Sequence, residues 1–162
     1  MNNPSPPCMV RIAEKADLPK AIEQLTDYMS AEQQAKYHRK LTRYTRDADK
    51  DLLLAVDASG AIGFLCVAEH DEIPGELDPG LGATLQEYAT VTSFIVRPEK
   101  RRRGVGMSLF ARALEWGRAR RHGMWLITHR TGPWYHRHFG LEEVAKIEVD
   151  GVTKTVMAKE DA

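Results

Sequence analysis

The segment VRPEKRRRGVGMSLF, which runs from Val96 to Phe110, limits the folds open to this chain more than any other stretch. An apolar run ends at Val96, a turn with two glycines follows, and apolar residues then recur at helical spacing, which predicts a strand, a tight turn and a helix. Five cations occupy the turn: Arg97, Lys100, Arg101, Arg102 and Arg103. Like charges this close repel each other, so the turn is either well solvated or built to hold an anion.

Backbone chemistry at the same turn favours the anion. The first amides of a helix have no intrahelical acceptor and lie at the positive end of the helix dipole. Gly104 and Gly106 lack the Cβ atoms that would keep a phosphate away from these amides, and arginines add bidentate contacts. The pattern is neither G-x-G-x-x-G nor a Walker loop, because Leu109 stands at the third glycine position and no Gly-Lys-Ser/Thr follows.

The rest of the sequence predicts strands and helices in alternation. Strands are expected over residues 9–13, 85–96 and 123–128, and in two hairpins that turn at residues 57–60 and 150–151. Helices are expected from near residue 17, where Asp17 caps the first turn, over residues 31–45 and 104–122, and as a short helix or turn opened by Pro133. Prolines and glycines predict a loop over residues 71–82. The predicted fold class is therefore α/β, with a mixed central sheet of about seven strands flanked by about four helices.

Length and composition predict one domain over residues 9–162, after a disordered Pro-rich arm over residues 1–8. No apolar run approaches the roughly 20 residues that span a bilayer, and the N-terminus lacks a signal-peptide pattern, so we expect a cytoplasmic protein without a membrane partner. Cys8 and Cys66 fit two free thiols. No metal site is expected, because His136 and His138 lack Cys and carboxylate partners at ligand spacing.

Charge is strongly segregated along this chain of zero net charge. Residues 51–96 hold eight acidic side chains and no Lys or Arg, whereas residues 97–137 hold eleven basic side chains and two acidic ones. The two segments therefore carry opposite potentials, which suits a protein that binds an anion in one place and a cation in another. Two solvated faces of opposite charge would give the same pattern.

The turn resembles a known loop. V-x-P-x-x-R-x-x-G-x-G, formed here by Val96, Pro98, Arg101, Gly104 and Gly106, is similar to the acyl-coenzyme A pyrophosphate loop of the GNAT superfamily of N-acetyltransferases. The likeness covers nearly the whole chain, from VRIAEKADLPKAIEQL at the start to a late WYHRHFGLEEV. It implies a GNAT-type domain that moves an acetyl group from acetyl-CoA to a primary amine by direct attack in a ternary complex.

The resemblance also assigns a coenzyme site. By that likeness, the backbone of Phe94, Ile95 and Val96 binds the pantetheine arm as an added strand would. The pyrophosphate is held by the loop whose members are Arg101, Arg102, Arg103, Gly104, Val105 and Gly106. Charge segregation fits the same picture, because the basic segment attracts the phosphates of coenzyme A and the acidic residues between 69 and 87 attract a cationic amine, either a small molecule or a peptide. The resemblance is compatible with a homodimer.

Acyl transfer to an amine needs a base, an oxyanion donor and an acid. Tyr135 corresponds to the tyrosine that donates to the coenzyme sulfur in the resembled family, and the alternative is a tyrosine of the core or rim. Glu87, the only carboxylate on the predicted strand 85–96, is the candidate base, acting through water, or else it merely faces solvent. Many relatives carry a catalytic Glu where this chain has Thr90. A backbone N–H near Ile95 is the candidate oxyanion donor.

The sequence THRTG after the predicted strand 123–128 departs from the family pattern, in which Asn is frequent there. Thr128 or His129 is expected to take over the hydrogen bonding of that Asn. His129 is also a second candidate base, because imidazole accepts protons near neutral pH. Cys66 is a less favoured nucleophile, since GFLCVA is typical of a buried strand in which cysteine behaves as a small hydrophobe.

Two other classes of protein compete with an enzyme. A nucleic-acid binder would use EKRRRG as a phosphate patch, but it leaves the acidic segment, the paired glycines and Tyr135 without roles, so no nucleic-acid partner is expected. A catalytically silent acyl-CoA sensor would keep the loop and dispense with the acid and the base. This sensor is the stronger alternative.

Overall fold

The computed structural model describes residues 8–161, so the Pro-rich arm predicted over residues 1–8 lies outside the described residues except for Cys8. The strands are β1 (Met9–Ile12), β2 (Lys50–Asp57), β3 (Gly60–Ala68), β4 (Ala89–Val96), β5 (Gly123–Thr128), β6 (Glu142–Val149) and β7 (Val152–Glu160). The helices are α1 (Leu18–Thr26), α2 (Ala31–Arg46), α3 (Pro79–Leu85), α4 (Val105–Arg118) and α5 (Gly132–Phe139). No helix within residues 8–161 is long and apolar enough to cross a membrane.

The seven strands form one mixed sheet in the order β1-β2-β3-β4-β5-β7-β6. β4 and β5 are parallel, with Ala89 opposite Met124 and Thr90 opposite Trp125. β5 and β6 each pair with β7 in antiparallel fashion, as β1 does with β2. The predicted α/β class and seven-stranded mixed sheet are therefore confirmed, with five helices within the described residues where about four were expected.

The chain divides into two compact units, of which the first comprises the described residues up to Val67 together with Ser93–Ala113. Its core is built from large buried side chains of α1, α2, β2, β3 and α4, including Leu25, Tyr44, Phe64 and Phe110. Helix α4 packs closely on β3 at Gly63, where an added Cβ would lie 3.1 Å from a methyl carbon of Leu109. Glycine at this position therefore lets the helix that follows the basic turn lie against the sheet.

The second unit comprises Ala68–Thr92 and the chain from Leu114 onward. Its apolar core includes Trp125 on β5, Ile147 on β6 and Val156 on β7. The segment that precedes β4 covers this core with four aliphatic side chains, Ile73, Leu77, Leu81 and Leu85. The acidic residues of the same segment, Asp71, Glu72, Glu76 and Asp78, are exposed, so the segment is an amphipathic cover.

Helix α3 corrects the predicted loop over residues 71–82 and the predicted strand over residues 85–96. The carboxylate of Asp78 accepts hydrogen bonds from the amides of Gly80 and Leu81, and Pro79 fits the first turn. Burial of the aliphatic face outweighs the poor helix propensity of the glycines. Because α3 runs to Leu85, the residues up to Tyr88 form a turn and β4 begins only at Ala89.

The start of α1 differs from the prediction in its cap. Asp17 precedes the helix as predicted, but its side chain makes no cap hydrogen bond. Its carboxylate instead accepts two hydrogen bonds from the Arg11 guanidinium, at 2.6 and 2.8 Å, and one from the amide of Glu14. These contacts lower the pKa of Asp17 to about 2.

Candidate active site

Two of the five cations in the basic turn are neutralised by acids from distant parts of the chain. The Arg97 guanidinium donates to Asp27 at 2.8 Å and to Glu99 at 2.5 Å. Lys100 donates at 3.0 Å to Asp57, the last residue of β2. These pairs anchor both ends of a short 3₁₀ turn, Pro98–Lys100, that leads into the loop.

The other three cations, Arg101, Arg102 and Arg103, are exposed. Arg101 donates from Nε to the carbonyl oxygen of Val96 at 3.0 Å, which folds the loop back on the end of β4. Arg102 and Gly104 have positive φ angles of 63° and 83°, a conformation that glycine adopts freely and arginine only under strain. Strained backbone is frequent at ligand sites, so Arg102 marks the loop as a candidate binding element.

Helix α4 begins directly after this loop, at Val105. The amide of Ser108 donates to the carbonyl of Gly104 at 3.0 Å, so the amides of Val105, Gly106 and Met107 precede the first α-helical hydrogen bond. Such amides are available to an anion at a helix N-terminus. The loop thus brings together exposed guanidinium groups and helix-start amides, as the sequence predicts.

The end of β4 carries the residues expected to contact the pantetheine arm. Phe94, Ile95 and Val96 are half-buried, and they lie beyond the two positions at which β4 pairs with β5. The Phe94 ring stacks on Phe110 of α4, with ring centroids 6.1 Å apart, which fixes the side of the strand that faces the helix. A strand held in this way can offer its backbone to an extended ligand.

Tyr135 lies on α5 and is 8% exposed. Its ring makes an edge-to-face contact with Trp134 at 5.0 Å. Burial raises the pKa of the Tyr135 phenol to about 12. The hydroxyl therefore keeps its proton at neutral pH, and it is available to donate a hydrogen bond or that proton to a neighbouring group.

The two candidate bases have separate surroundings. Glu87 lies in the turn before β4, and not on the strand as predicted; its side chain is exposed and its carboxylate is 3.6 Å from Nε2 of His122. His129 is exposed in the turn between β5 and α5, with Nδ1 3.3 Å from the carbonyl oxygen of Thr153. Within residues 8–161, Glu87 and His129 make no hydrogen bond or ion pair with each other.

Two smaller sequence inferences concern Thr128 and Cys66. Thr128 is buried and its hydroxyl hydrogen-bonds to the hydroxyl of Thr131, so it helps to shape the turn before α5. Cys66 is fully buried, and burial raises the pKa of its thiol to about 12. Cys66 therefore behaves as the buried hydrophobe that the sequence favours and not as a nucleophile.

Sequence reasoning missed the partners of Arg97 and Lys100. Asp27 and Asp57 lie 70 and 43 residues away from the cations that they neutralise. Asp27 lies in the turn after α1 and Asp57 is the last residue of β2, and no local pattern distinguishes either from the other acids of the chain. Only the assembled fold shows which of the five cations remain available to a ligand.

Comparison with known proteins identifies the family to which the chain belongs. Residues 18–140 match the acetyltransferase (GNAT) family, which is well over half of the chain. The protein is therefore an acyltransferase, and it belongs to the GNAT family. No curated protein sequence matches the chain.

Solved structures show the same fold. A Corynebacterium glutamicum protein described as histone acetyltransferase HPA2 and related acetyltransferase is similar, with a TM-score of 0.70 at 18% identity over 96% of this chain and 97% of that one. Arabidopsis thaliana NAA60 in complex with acetyl-CoA is similar with a TM-score of 0.63 at 14% identity over 94% and 97%. The spermidine/spermine N-acetyltransferase SpeG of Vibrio cholerae gives 0.62 at 17% identity over 94% and 91%.

Proposed function

We propose that residues 9–162 form an N-acetyltransferase domain that transfers the acetyl group of acetyl-CoA to a primary amine by direct attack in a ternary complex. The observation that carries the proposal is that only some of the cations in the basic turn are paired with acids of the protein. Arg97 and Lys100 are neutralised by protein acids, whereas Arg101, Arg102 and Arg103 remain exposed beside the helix-start amides. Three exposed cations and free amides fit a pyrophosphate better than a merely solvated turn.

Acetyl-CoA supplies the activated acetyl thioester when it is bound. The loop from Arg101 to Gly106 holds its pyrophosphate, and the backbone at Phe94, Ile95 and Val96 holds its pantetheine arm in the manner of an added strand. A backbone amide near Ile95 donates to the oxygen on which negative charge develops. Each of these groups belongs to β4, to the turn that follows it or to the first two residues of α4, so a single stretch of chain positions the donor substrate.

Tyr135 donates to the departing sulfur. Its pKa of about 12 exceeds the value of about 8.5 that is typical of a free thiol, so complete proton transfer from phenol to thiolate is uphill. A hydrogen bond that strengthens as charge reaches the sulfur is therefore the main contribution of the hydroxyl. Burial supports this role, because a donor acts more strongly in a water-poor site.

A base must remove a proton from the attacking amine. If Nδ1 of His129 donates to the carbonyl of Thr153, which is an acceptor, the lone pair of Nε2 is left to take a proton. We therefore propose His129 as the direct base and keep Glu87 as the alternative that acts through water. Exposure of both side chains allows exchange of the proton with solvent.

The acceptor is proposed to be a primary amine that arrives as a cation, on a small molecule or a peptide. Support comes from the exposed acids Asp71, Glu72, Glu76 and Asp78, in a stretch that has no Lys or Arg from residue 51 to residue 96. An acidic surface of this kind concentrates cations near it. Similarity of the fold to a spermidine/spermine N-acetyltransferase agrees with a cationic acceptor.

Steady-state release of coenzyme A from acetyl-CoA tests the proposal across a panel that contains a polyamine, an aminoglycoside, free amino acids and a peptide with a free N-terminus. An enzyme releases coenzyme A with at least one amine, and mass spectrometry finds that amine acetylated. A sensor instead gives a rise in Tm with acetyl-CoA but no turnover with any amine. Failure of acetyl-CoA to raise Tm would contradict both assignments.

A further inference from the structure

A cavity of about 360 Å³ lies within the second unit, between α5 and the strands β6 and β7. Its volume falls in the range of small-molecule pockets. The polar lining comprises Arg130, His136, Glu142, Glu143 and Thr155, with Met157 as an apolar wall. Tyr135, the proposed acid, is not among the lining residues.

The guanidinium and the two glutamates of this cavity do not pair with one another. Within residues 8–161, the Arg130 guanidinium makes no ion pair with Glu142 or Glu143, although all three side chains line the same space. In the described part of the chain, Glu143 lies 3.6 Å from the exposed Lys146 and Glu142 lies 3.6 Å from Nδ1 of His136, and both contacts are of little strength. Charges of opposite sign that face one cavity without pairing are complementary to a ligand that carries both signs.

Two irregular stretches of backbone lie beside the cavity. Arg130 has a φ of 67°, a left-handed conformation that is costly for a residue with a side chain and that is common where a ligand is clamped. Glu142 and Glu143 both line the cavity, at the start of β6 where the chain comes from α5. The register of β6 against β7 shifts just beyond them, between Glu143 and Ala145.

His136 completes the polar lining. Its Nδ1 lies 3.0 Å from the carbonyl oxygen of Leu141, which accepts the Nδ1 proton and leaves the Nε2 lone pair as an acceptor. The cavity therefore holds one guanidinium donor, two carboxylates and an imidazole acceptor. A ligand that matches this set has one carboxylate and two ammonium groups.

We propose that this cavity binds a free basic α-amino acid of the lysine type. Arg130 binds the α-carboxylate, Glu142 and Glu143 bind the two ammonium groups, and Met157 contacts the aliphatic chain. The two carboxylates outnumber the single guanidinium, so a ligand with an extra positive charge is preferred over a neutral amino acid. This proposal does not depend on the acetyltransferase activity and can be tested without acetyl-CoA.

Isothermal titration of the full chain with l-lysine, at low ionic strength and without acetyl-CoA, measures this binding. We expect saturable one-to-one binding, with cadaverine, which lacks the carboxylate, and norleucine, which lacks the side-chain ammonium, each bound about tenfold more weakly, as loss of one charged hydrogen-bonded contact predicts. Equal affinity for lysine and cadaverine, or no saturable heat with lysine, would overturn the proposal.

Variants locate the site. Arg130→Gln is expected to weaken lysine about tenfold and to leave cadaverine unchanged, whereas Glu142→Gln weakens both. Arg137→Gln is the matched control, because Arg137 is an exposed arginine on α5, the helix that follows Arg130, and does not line the cavity; this variant should bind lysine normally. If Arg130→Gln unfolds, Arg130→Gly, which suits the left-handed backbone, replaces it. Unchanged lysine affinity in a folded Arg130 variant would assign the binding to another site and refute the proposal.

Discussion

Tyr135 carries the most specific chemical role proposed for a single residue, and Tyr135→Phe tests it. The variant keeps the ring and its contact with Trp134 while it removes the hydroxyl. We expect kcat to fall by roughly 10²-fold, the low end for general acid catalysis, with little change in Tm or in the Kd for acetyl-CoA. Stopped-flow and steady-state kinetics with the best amine of the panel measure both constants.

A packing role for Tyr135 predicts the reverse pattern. In that case Tyr135→Phe turns over normally, and only Tyr135→Ala, which leaves a cavity in a buried position, lowers Tm. Full kcat in the Phe variant, under conditions in which chemistry limits turnover, would refute the role of the hydroxyl.

Replacement of His129 and of Glu87 by glutamine, one at a time, distinguishes the two candidate bases. His129→Gln removes the proposed direct base, so kcat/KM for the amine should fall by about 10²-fold, whereas Glu87→Gln should lower it by less than about tenfold. Full pH–rate profiles of both variants are the measurement. The reverse order of effects would assign the base role to Glu87, and two unaffected variants would leave deprotonation to solvent.

At the scale of elements, the first turn of α4 offers a test in which stability and affinity move in opposite directions. Gly106→Glu places a carboxylate near the positive end of the helix dipole and replaces a helical glycine, so the free energy of unfolding without ligand should rise by about 1 kcal/mol. The same carboxylate repels a pyrophosphate, so the Kd for acetyl-CoA should rise at least about tenfold.

Gly106→Gln is the matched control because it adds the same bulk without the charge. It should bind acetyl-CoA more tightly than the Glu variant does, and Tm shifts with increasing acetyl-CoA measure the difference. Position 106 is preferable to Gly104, whose φ of 83° would add strain for any side chain. Equal affinity of the wild-type protein and Gly106→Glu would remove the pyrophosphate from this turn.

The turn between β2 and β3 predicts a pH dependence of stability. Hydrogen bonds from Ser59 and then Lys100 lower the pKa of Asp57 from 3.8 to about 2. A carboxylate with a lowered folded-state pKa stabilises the fold above its unfolded pKa, and this contribution is lost as the pH falls from about 4 to about 2. Urea unfolding of Asp57→Asn should therefore show a shallower loss of stability than wild type across that interval, and identical slopes would contradict the prediction.

Elements with a single clear local signal could be predicted from the sequence. Both hairpin turns, the helix after the glycines and the strand 123–128 follow from turn chemistry and periodicity, and each is present. Helix α3 could not be predicted, because its glycines and prolines argue for a loop and its stability comes from aliphatic side chains buried against β5, β6 and β7. Because the predicted strand begins at residue 85, the sequence also places Glu87 on a strand, whereas it lies in the turn before β4.

At the scale of the whole molecule, charge segregation predicts that reversal of the acidic surface charges affects the KM of the cationic acceptor and not that of acetyl-CoA. Glu72 and Glu76 are exposed, and their replacement by Lys should raise KM for a cationic acceptor while it leaves KM for acetyl-CoA nearly unchanged. Glu148→Lys, an exposed reversal on β6, controls for net charge. The effect should shrink with added salt, and equal changes for both substrates would count against an acidic entrance.

The sequence shows that the charges are segregated. It does not show which charges pair within the protein and which remain available to a ligand. The sequence presents five cations in one turn, and the fold neutralises Arg97 and Lys100 through residues that are far away in the chain. Long-range pairing of this kind depends on how turns meet in three dimensions, which local patterns do not encode.

Strand β6 forms one edge of the sheet, and its irregular register has a consequence for behaviour at high concentration. The shift between Glu143 and Ala145 interrupts the even spacing of hydrogen-bonding groups that another strand would need, and Glu142, Glu143, Lys146 and Glu148 add exposed charges along the strand. An edge that is both irregular and charged is a poor template for strand addition. We therefore expect this side of the protein to resist amyloid-like aggregation, even when the protein is concentrated.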